Sequence, residues 1–326
     1  MNLTHLPLLV CPACRQTLRV STCKQGGDER LIEGTLSCDA CKAQYPVVGG
    51  VPRFVPRDNY ASGFGLEWNI HARTQYDSYS GLTVSHDRFF GQTQWPSDLR
   101  GKLILEVGSG SGRFTEQAAK TGATVVSFDY SYAVEANYRS NGNTPNVLVV
   151  QADVFAMPFR PQTFDLAFCF GMLQHTPDPK AALKAVPPML KPGGRLCADV
   201  YKATLLRMLN PKFVIRPFTR RLDPDRLYAL VKKWVDFMWP LASVIRKLPK
   251  GSGINWRLMV ADYSPLGLKG DILKEWAYLD TFDMLAPHYD RHIRADTFRA
   301  WAEEAGLAQV ETEYSGHGVT LRGSAR

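Results

Sequence analysis

The residues with the clearest chemical potential form a glycine-rich stretch, Glu106-Val-Gly-Ser-Gly-Ser-Gly112. Glycine allows a turn to adopt positive φ and lets main-chain N–H groups approach a ligand, because no Cβ stands in the way. The glycine spacing differs from the G-x-G-x-x-G pattern of NAD-binding proteins. An apolar run precedes the stretch, and acids close the next two apolar runs at Asp129 and Asp153. We therefore expect one ligand to lie across three successive strand ends.

These residues can meet only if strands and helices alternate around them. From residue 102 onward, apolar runs alternate with helical segments, which predicts a parallel sheet with right-handed crossovers. Strands are expected at 103–107, 124–129, 147–152, 164–170 and 196–201, with helices starting at 113 and 133 and near 180. After an interruption, the pattern resumes with a helix over 295–305 and strands over 308–314 and 319–322. Because few residues join the last two strands, we expect them to pair antiparallel.

The order of these motifs resembles that of class I S-adenosylmethionine-dependent methyltransferases. Leu190-Lys-Pro-Gly-Gly-Arg-Leu196 is similar to the turn that such enzymes carry before their fifth strand. The resemblance implies an α/β fold with a Rossmann-like seven-stranded sheet, and S-adenosylmethionine as cofactor. It also implies the contacts: Glu106, Gly108, Ser109, Gly110 and Gly112 at the amino acid part, Asp129 at the ribose, Asp153 and Val154 at the adenine, and Phe170 and Gln174 on the methionine side. A doubly wound domain that binds another nucleotide is the alternative.

Four of the seven cysteines have the spacing of metal ligands. Cys11-Pro-Ala-Cys14 and Cys38-Asp-Ala-Cys41 are two C-x-x-C pairs, and the polar stretch between them contains Gln25-Gly-Gly-Asp28, which predicts a hairpin turn. Four thiolates around a tetrahedral Zn(II) leave no open position, so we expect a structural site at Cys11, Cys14, Cys38 and Cys41. Iron or an unmetallated redox pair is the alternative.

The residues after the second pair, Gln44-Tyr-Pro-Val-Val-Gly-Gly-Val-Pro-Arg-Phe54, resemble the Trm112-type zinc ribbon. Proteins of that family are partners of methyltransferases that act on tRNA, rRNA or protein, and similar ribbons are fused to bacterial methyltransferases of varied substrate. The ribbon therefore does not select an acceptor. Residues 11–42 carry five Lys or Arg against four Asp or Glu, which is a weak electrostatic footprint for phosphates.

Two segments outside the core motifs could cover a bound ligand. In the aromatic-rich residues 58–101, Gln75, Tyr76 and Tyr79 either cap the cofactor or belong to a linker packed by its aromatic rings. Residues 202–294 interrupt the core and are the candidate lid over an acceptor.

The lid holds the basic charge of the chain. Between residues 205 and 250, eleven Lys or Arg stand against three Asp or Glu, a net charge of +8 that equals the excess of the whole chain. Apolar residues recur there every three or four positions, which predicts one or two amphipathic helices that Pro240 breaks or kinks. The open interpretations of this basic surface are contact with an anionic membrane, an anionic lipid-linked substrate, a phosphate backbone, or solvent alone.

The catalytic candidates lie beyond the fourth strand and near the end of the lid. Methyl transfer requires alignment, and a base only if the acceptor must lose a proton; His175 is placed for that role and has a suitable pKa range. Capping of the next helix or contact with the cofactor is its alternative role. Asp280, Asp283, Tyr289 and Asp290 either bind acceptor hydroxyls or form a network between lid and sheet. We name His175, Tyr289 and Asp290 as catalytic candidates.

These motifs divide the chain into five parts. They are a zinc ribbon (1–57), a linker or capping segment (58–101), the methyltransferase core (102–201), the basic helical lid (202–294) and the end of the core (295–326). The 326 residues contain no run of eighteen apolar residues, and residues 1–10 lack the pattern of a signal peptide. We therefore expect a cytoplasmic protein, with peripheral membrane association left open.

The functional prediction is an S-adenosylmethionine-dependent methyltransferase with a structural zinc ion. The sequence has no Asn-Pro-Pro-Tyr or Asp-Pro-Pro-Tyr motif of the type that serves amide or amine acceptors, and oxygen is therefore the favoured acceptor atom. We expect a small-molecule, saccharide or lipid-linked acceptor. An RNA methyltransferase acting on tRNA or rRNA is one alternative, and a non-catalytic zinc-ribbon adaptor is the other.

Overall fold

Two sheets organise the chain in the computed structural model, which describes residues 1–25, 30–57, 59–204 and 210–326. The first sheet has four strands and the second has seven. Most of the predicted turn at residues 25–28, and residues 205–209 of the predicted basic segment, lie outside the described residues.

The first sheet forms the N-terminal ribbon. Its strands are β1 (Leu18–Gln25), β2 (Leu31–Cys38), β3 (Gln44–Val48) and β4 (Val51–Pro52), and each pairs antiparallel with the next. Leu31 and Leu36 are fully buried and belong to the same apolar cluster as Leu148 and Val150 of the larger sheet. The ribbon therefore shares a core with the rest of the protein.

The second sheet has the strand order β10-β11-β9-β8-β5-β6-β7. Its members are β5 (Leu103–Val107), β6 (Thr124–Asp129), β7 (Val147–Gln151), β8 (Phe164–Cys169), β9 (Leu190–Val200), β10 (Leu307–Ser315) and β11 (Gly318–Ala325). Strands β5 to β9 pair in parallel, and β11 runs antiparallel to both β9 and β10. The predicted α/β fold with a seven-stranded sheet is confirmed.

Helices cover both faces of this sheet and build the insertion. They are α1 (Ser62–Ile70), α2 (Asp77–Ser80), α3 (Val84–Thr93), α4 (Arg113–Lys120), α5 (Val134–Asn141), α6 (Pro179–Ala185), α7 (Lys212–Thr219), α8 (Pro224–Ile245), α9 (Gly251–Arg257), α10 (Gly270–Leu285) and α11 (Ala295–Glu304). Helices α8 and α10 pack together around their own apolar cluster, which contains Val235 and Phe282. In the described ranges, no helix is both long and apolar enough to cross a membrane.

The strand order places the predicted site at one edge of the sheet. From β5 the chain runs outward through β6 to β7, then returns to β8 on the other side of β5. Ligands of such sheets bind outside the carboxyl ends of the strands, at the point where the order reverses. The glycine-rich stretch and the predicted acids follow the carboxyl ends of β5, β6 and β7.

Two local predictions differ from the structure. The Lys-Pro-Gly-Gly segment, predicted as a turn before a strand that starts at residue 196, instead lies within β9, which begins at Leu190. The pairing of β9 with β8 shifts register in this part of the strand. Helix α8 continues through Pro240 for 22 residues, so the predicted break is wrong. Proline removes one N–H donor, and Pro240 lies on an exposed side of the helix, where water can satisfy the carbonyl that this leaves free.

Candidate active site

The glycine loop connects β5 to α4 and contacts the carboxylate that ends β6. Gly108, Gly110 and Gly112 have φ values of 80°, 52° and 92°, a region that glycine adopts without steric cost. The Gly110 N–H donates to Asp129 Oδ2 at 2.9 Å. A Cβ at Gly108 would lie 2.4 Å from the Met172 side chain, so only glycine fits this packing.

A cavity of about 920 Å³ opens over these strand ends. Ligand pockets are typically about 300–1,000 Å³, so this one has room for a cofactor and a small acceptor together. The predicted site residues that line it are Gly108, Ser109, Gly110, Asp129, Asp153, Val154, Phe170, His175 and Asp290. The cavity therefore gathers residues from four strand ends and from the insertion.

The two predicted ribose and adenine acids are held by local hydrogen bonds. Asp129 Oδ1 accepts from the N–H and the hydroxyl of Ser131, at 2.8 and 2.7 Å. Burial raises the pKa of Asp129, although these hydrogen bonds oppose the shift. Asp153 Oδ1 accepts from the Phe155 N–H at 2.9 Å. Tyr60 lines the same cavity; burial and then the charge of Asp153 raise its pKa, with Asp129 contributing less.

Glu106 and Gly112 support the glycine loop from behind. Among the described residues, neither belongs to the cavity wall. Glu106 is 1% exposed and accepts a hydrogen bond from the Thr115 hydroxyl of α4. Burial raises its pKa to about 7, against the effect of that hydrogen bond. The Gly112 carbonyl accepts from Asn141 Nδ2 at 3.0 Å. Both residues thus fix the loop against α4 and α5.

Gln174 and Tyr289 likewise lie behind the wall that the described residues form. Gln174 is fully buried, and its carbonyl accepts from the Arg291 N–H at 3.0 Å. The Tyr289 carbonyl accepts from His175 Nδ1 at 2.8 Å. In this arrangement the backbone of Tyr289, rather than its phenol, reaches the candidate base.

The capping segment contributes to the site in part. Gln75 lines the cavity. Tyr76 is buried and donates its hydroxyl to the Ser111 carbonyl at 2.7 Å, which braces the glycine loop. Tyr79 is 49% exposed and lies 3.2 Å from Glu275 of α10. The segment thus connects the loop to the insertion.

His175 lines the cavity, and one of its two ring nitrogens is bonded to a backbone carbonyl. A carbonyl can only accept, so the bond to Tyr289 requires a proton on Nδ1 and leaves the Nε2 lone pair free in the neutral ring. Phe64 and Tyr201 hold the ring edge-on, with centroid distances of 4.9 and 5.6 Å. No hydrogen-bond partner of Nε2 occurs among the residues that the structure describes. This is the geometry of an oriented proton acceptor.

Three carboxyl groups line the cavity: Glu67 of α1, and Asp280 and Asp283 of α10. Glu67 is 0% exposed, and neither of its oxygens has a hydrogen-bond partner within the described ranges; the same holds for Asp280 Oδ2. Burial raises the pKa of Glu67 well above its usual value, and Asp283 and Asp280 add to the shift. Burial, then Asp283, raises the pKa of Asp280 to about 7. These groups are placed to accept hydrogen bonds from a bound ligand.

Asp290 belongs to a buried ionic network. Its side chain is 1% exposed, Lys212 Nζ lies 2.8 Å from Oδ2, and Arg216 donates to the same oxygen. Burial acts to raise the pKa of Asp290, but His292, Lys212 and Arg216 prevail and hold it far below its usual range. Permanent ionisation makes Asp290 a poor proton acceptor and suits it to anchoring α7 at the cavity.

The sulfur atoms of Cys11, Cys14, Cys38 and Cys41 all lie within 4.8 Å of one another. Cys11 Sγ is 3.5 Å from Cys41 Sγ, and Cys14 Sγ is 3.3 Å from Cys38 Sγ. A tetrahedral zinc ion with Zn–S bonds of about 2.3 Å places sulfur atoms about 3.8 Å apart. Arg15 and Lys42, which follow the two pairs, both have a φ of 64° and turn their N–H groups back to Cys11 and Cys38. The donor set and its geometry suit a structural zinc ion.

The ribbon contacts the strand that leads to Asp153 in the cavity wall. Arg53 Nη1 donates to Gln151 Oε1 at 3.0 Å, and Gln151 ends β7 two residues before Asp153. Arg15 Nη1 donates to the Met157 carbonyl at 2.8 Å. The cysteine cluster and the cavity are therefore joined through one short stretch of chain.

Known proteins share both parts. A methyltransferase-domain family model matches residues 105–198, and a model of Trm112p-like proteins matches residues 2–50. A ubiquinone biosynthesis O-methyltransferase of Pseudomonas entomophila (strain L48) is 31% identical over 160 residues, which cover 46% of this chain and 68% of that protein. The chain belongs to the class I S-adenosylmethionine-dependent methyltransferases. The protein of the same name from Xylella fastidiosa (strain 9a5c) is 34% identical over 125 residues, 36% of this methyltransferase and about half (51%) of that relative.

Solved structures with a similar fold are more distant. One is a complex between the Haloferax volcanii Trm112 methyltransferase activator and a methyltransferase, with 13% identity and a TM-score of 0.45 over 83% of this chain and 99% of that one. Another is an S-adenosyl-L-methionine-dependent methyltransferase of Methanococcus maripaludis, with 14% identity and a TM-score of 0.45 over 83% and 96%.

The cavity of this methyltransferase fits the cofactor that its family implies. The loop needs glycine at Gly108, and the Asp129 carboxylate lines the wall where ribose hydroxyls are expected. Asp199 was not among the predicted site residues. It accepts a hydrogen bond from the Gly171 N–H at 2.6 Å and pairs with Arg88 at 2.6 Å. An acid near the end of the apolar strand β9 was the sequence feature that could have indicated it. Glu67 was also missed, and its sequence neighbourhood gave no signal.

Proposed function

We propose that this methyltransferase acts on a hydroxyl oxygen of a small-molecule, saccharide or lipid-linked acceptor. The observation that carries the proposal is His175, which lines the cavity with its Nδ1 proton committed to a carbonyl and its Nε2 lone pair free to accept a proton. The relatives from Pseudomonas and Xylella, which are named as O-methyltransferases, support oxygen as the acceptor atom.

The residues divide the chemistry between them. When bound, S-adenosylmethionine would supply an electrophilic methyl group, and its methyl–sulfur bond would be exchanged for the new carbon–oxygen bond, with S-adenosylhomocysteine as the leaving group. An acceptor hydroxyl loses its proton as its oxygen bonds to carbon, and His175 Nε2 takes that proton. The hydrogen bond to the Tyr289 carbonyl keeps the ring in the required tautomer. Burial raises the pKa of Asp283 and nearby His175 lowers it, so the two groups interact, and the Asp283 carboxylate stabilises the imidazolium.

Glu67 and Asp280 are the proposed acceptor-binding groups. Both residues line the cavity, and their buried, unpartnered oxygens require donors, which we propose that acceptor hydroxyls supply. Because burial and then the charge of Asp283 raise the pKa of both groups, each can also hold a proton and donate to an acceptor oxygen. The site therefore suits an acceptor with several hydroxyl groups more than an apolar one.

We also propose that the ribbon holds a structural Zn(II) at Cys11, Cys14, Cys38 and Cys41. The four thiolates complete a tetrahedron and leave no position for substrate, so the ion stabilises the ribbon and takes no part in methyl transfer.

The test uses the full chain and S-adenosylmethionine with a labelled methyl group. Native mass spectrometry first establishes whether zinc and the cofactor are bound. The loaded protein is then mixed with a lipid extract, a saccharide extract or RNA, and the label is followed into each. We expect label in the lipid or saccharide fraction, as an alkali-stable methyl ether.

The matched variants are His175→Ala and His86→Ala. His86 is 55% exposed and lies outside the cavity lining, so its loss should leave turnover unchanged. His175→Ala should lower kcat by about 10²–10⁴-fold, the range for a positioned base, with little change in cofactor affinity. Label in RNA would replace the proposal by the RNA alternative. A zinc-loaded protein that takes up no cofactor would support the adaptor alternative.

A further inference from the structure

Helix α8 carries two apolar stripes, of which the structure covers only one. Leu227, Val231, Val235, Met238 and Ala242 are buried against the rest of the insertion. A second stripe recurs at alternating intervals of four and three, and all its members are exposed: Leu230, Trp234, Phe237, Leu241 and Val244 on the helix, and Leu248 three residues beyond its end. Phe237 is 76% exposed and Val244 is 60% exposed. Residues at this spacing share one face of a helix, so α8 presents a continuous apolar strip to solvent.

The apolar exposure is concentrated in this part of the molecule. Among the described residues, eleven of the seventeen exposed large apolar side chains lie between residues 214 and 254. Besides the α8 stripe they include Val214 and Phe218 of α7, which are 72% and 71% exposed. Scattered exposed apolar side chains are ordinary, but a cluster of this kind marks an interaction surface.

Positive charge flanks the exposed stripe. Seven cations of the same segment are exposed. Lys232 pairs with Asp236, and the other six are Arg220, Arg221, Arg226, Lys233, Lys247 and Lys250; the exposed acids there are Asp223 and Asp225. None of these six cations forms an ion pair with any acid in the part of the chain that the structure describes. On the helical repeat, Arg226 and Lys233 lie beside the stripe on the side away from the buried face. The surface is thus an apolar strip with a cationic border.

We propose that this surface, formed by the exposed stripe of α8 with its flanking cations and the exposed side of α7, binds the face of an anionic lipid bilayer. A helix with Trp and Phe among its exposed apolar residues and Lys and Arg alongside lies in the interfacial plane, with its charges at anionic head groups. The stripe supplies burial in the acyl boundary, and the cations supply attraction to the lipid phosphates.

Other occupants fit this surface less well. A second copy of the chain would bring two cationic borders together, and their repulsion opposes pairing. Single-stranded nucleic acid requires aromatic faces for base stacking, whereas four of the six stripe residues are aliphatic. The bilayer matches both the aliphatic strip and the charge.

Helix α7 connects this surface to the cavity. Val214 and Phe218 point to solvent, while Lys212 and Arg216 of the same helix line the cavity and pair with Asp290. A bilayer against the exposed side of α7 would therefore lie one helix diameter from the part of the cavity wall that Lys212 and Arg216 form. If the proposed function holds, a lipid-linked acceptor could pass from the bilayer to the cavity along α7; bilayer binding itself does not depend on that function.

The experiment is co-sedimentation of the full chain with vesicles. Vesicles of phosphatidylcholine alone are compared with vesicles of phosphatidylcholine and phosphatidylglycerol. We expect binding to the anionic vesicles, weakening with added salt, and little binding to the neutral ones. The double variant Lys233→Glu/Lys247→Glu should reduce the partition coefficient by about 30-fold or more, because each basic residue near an anionic surface contributes about fivefold.

The apolar stripe is tested by Phe237→Glu/Val244→Glu. Its matched control is Val48→Glu/Ile70→Glu, which places the same charges at apolar residues that are 46% and 44% exposed elsewhere. The stripe variant should lose vesicle binding, while the control should lose only a small part. Thermal melting and cofactor affinity establish that each variant is folded.

Hydrogen exchange of the unmodified protein supplies a second measurement that needs no variant. Anionic vesicles should slow exchange in peptides from residues 214–254. Absence of binding to anionic vesicles, equal binding by the stripe variant and its control, or protection confined to other regions would each overturn the proposal. A concentration-dependent dimer that the stripe variant abolishes would assign the surface to a second copy instead.

Discussion

Replacing Asp290 by Asn tests whether this acid anchors α7 or takes part in proton transfer. The substitution keeps the shape of the side chain and removes its charge. Lys212 and Arg216, whose side chains are 13% and 8% exposed, then lose their acidic partner. A buried charge without a partner is costly, because the protein neither solvates nor neutralises it.

The size of the loss in unfolding free energy depends on the contacts that Lys212 and Arg216 keep after the substitution. Removing one partner of a buried ion pair costs about 3–5 kcal/mol of unfolding free energy. Arg216 retains two hydrogen bonds to the Met284 carbonyl, at 2.9 and 2.6 Å. Among the described residues, Lys212 keeps the nearby rings of Tyr201 and Phe213 and a weaker attraction to Asp283. We therefore expect the unfolding free energy to fall by about 3 kcal/mol, the lower end of that range.

Urea unfolding followed by circular dichroism at neutral pH measures this loss. The pKa of Asp290 is depressed in the folded state, so its stabilisation is complete above the unfolded value of about 3.9 and disappears only in stronger acid. The control is Asp296→Asn, whose exposed pairing with Arg294 should leave the urea midpoint unchanged. Below the unfolding transition, the Asp290 variant should still bind cofactor and turn over.

Two results would refute this reasoning. A midpoint shift no larger than that of the control would mean that the network around Asp290 does not stabilise α7. Full loss of turnover in a folded variant of unchanged cofactor affinity would make Asp290 a proton-transfer group and restore it as a catalytic residue.

Three further predictions concern the cofactor loop, the ribose acid and the ribbon. The Glu106→Gln variant should become more stable relative to the unmodified protein by about 1 kcal/mol as pH rises from 6 to 8. The reason is that burial raises the pKa of Glu106 to about 7, so that its ionisation over this range destabilises the unmodified fold. A difference in unfolding free energy between the two proteins that does not change with pH, measured by urea unfolding, would contradict this. Asp129→Ala should weaken S-adenosylmethionine binding about 10- to 100-fold in calorimetry, as expected for lost charge-assisted hydrogen bonds, while Asp39→Ala, at an exposed ribbon position, should not. Chelation, or Cys38→Ser, should lower the melting temperature of the whole chain, whereas Cys23→Ser, at an exposed cysteine outside the cluster, should leave it unchanged.

The elements of the sheet could be predicted because each signal is local. Apolar runs ended by glycine or acid gave the strands around Gly108, Asp129 and Asp153 to within a residue or two. The cysteine pairs were equally local, since a C-x-x-C turn brings two thiolates to one side by itself. Pro240 failed as a helix breaker because the surrounding packing, which no local rule contains, stabilises α8 on both sides of it.

The cavity wall could be predicted only in part. The family resemblance places residues at strand ends, but it does not determine which of them turn a side chain toward the ligand, and so Glu106 and Gln174 lie behind the wall. Glu67 looks in the sequence like any helical surface acid. Its burial depends on α10, more than two hundred residues later in the chain, and only the folded structure brings the two together.

The contacts of Arg15 with Met157 and of Arg53 with Gln151 lie within a single polypeptide. Docking of the ribbon onto the core is therefore a unimolecular event, governed by an effective concentration that the connecting chain sets and that dilution does not change. The two parts are also made in equal numbers at every level of synthesis. An assay at nanomolar protein should consequently find the ribbon seated as fully as it is at millimolar protein, a condition that a pair of separate chains meets only above its dissociation constant.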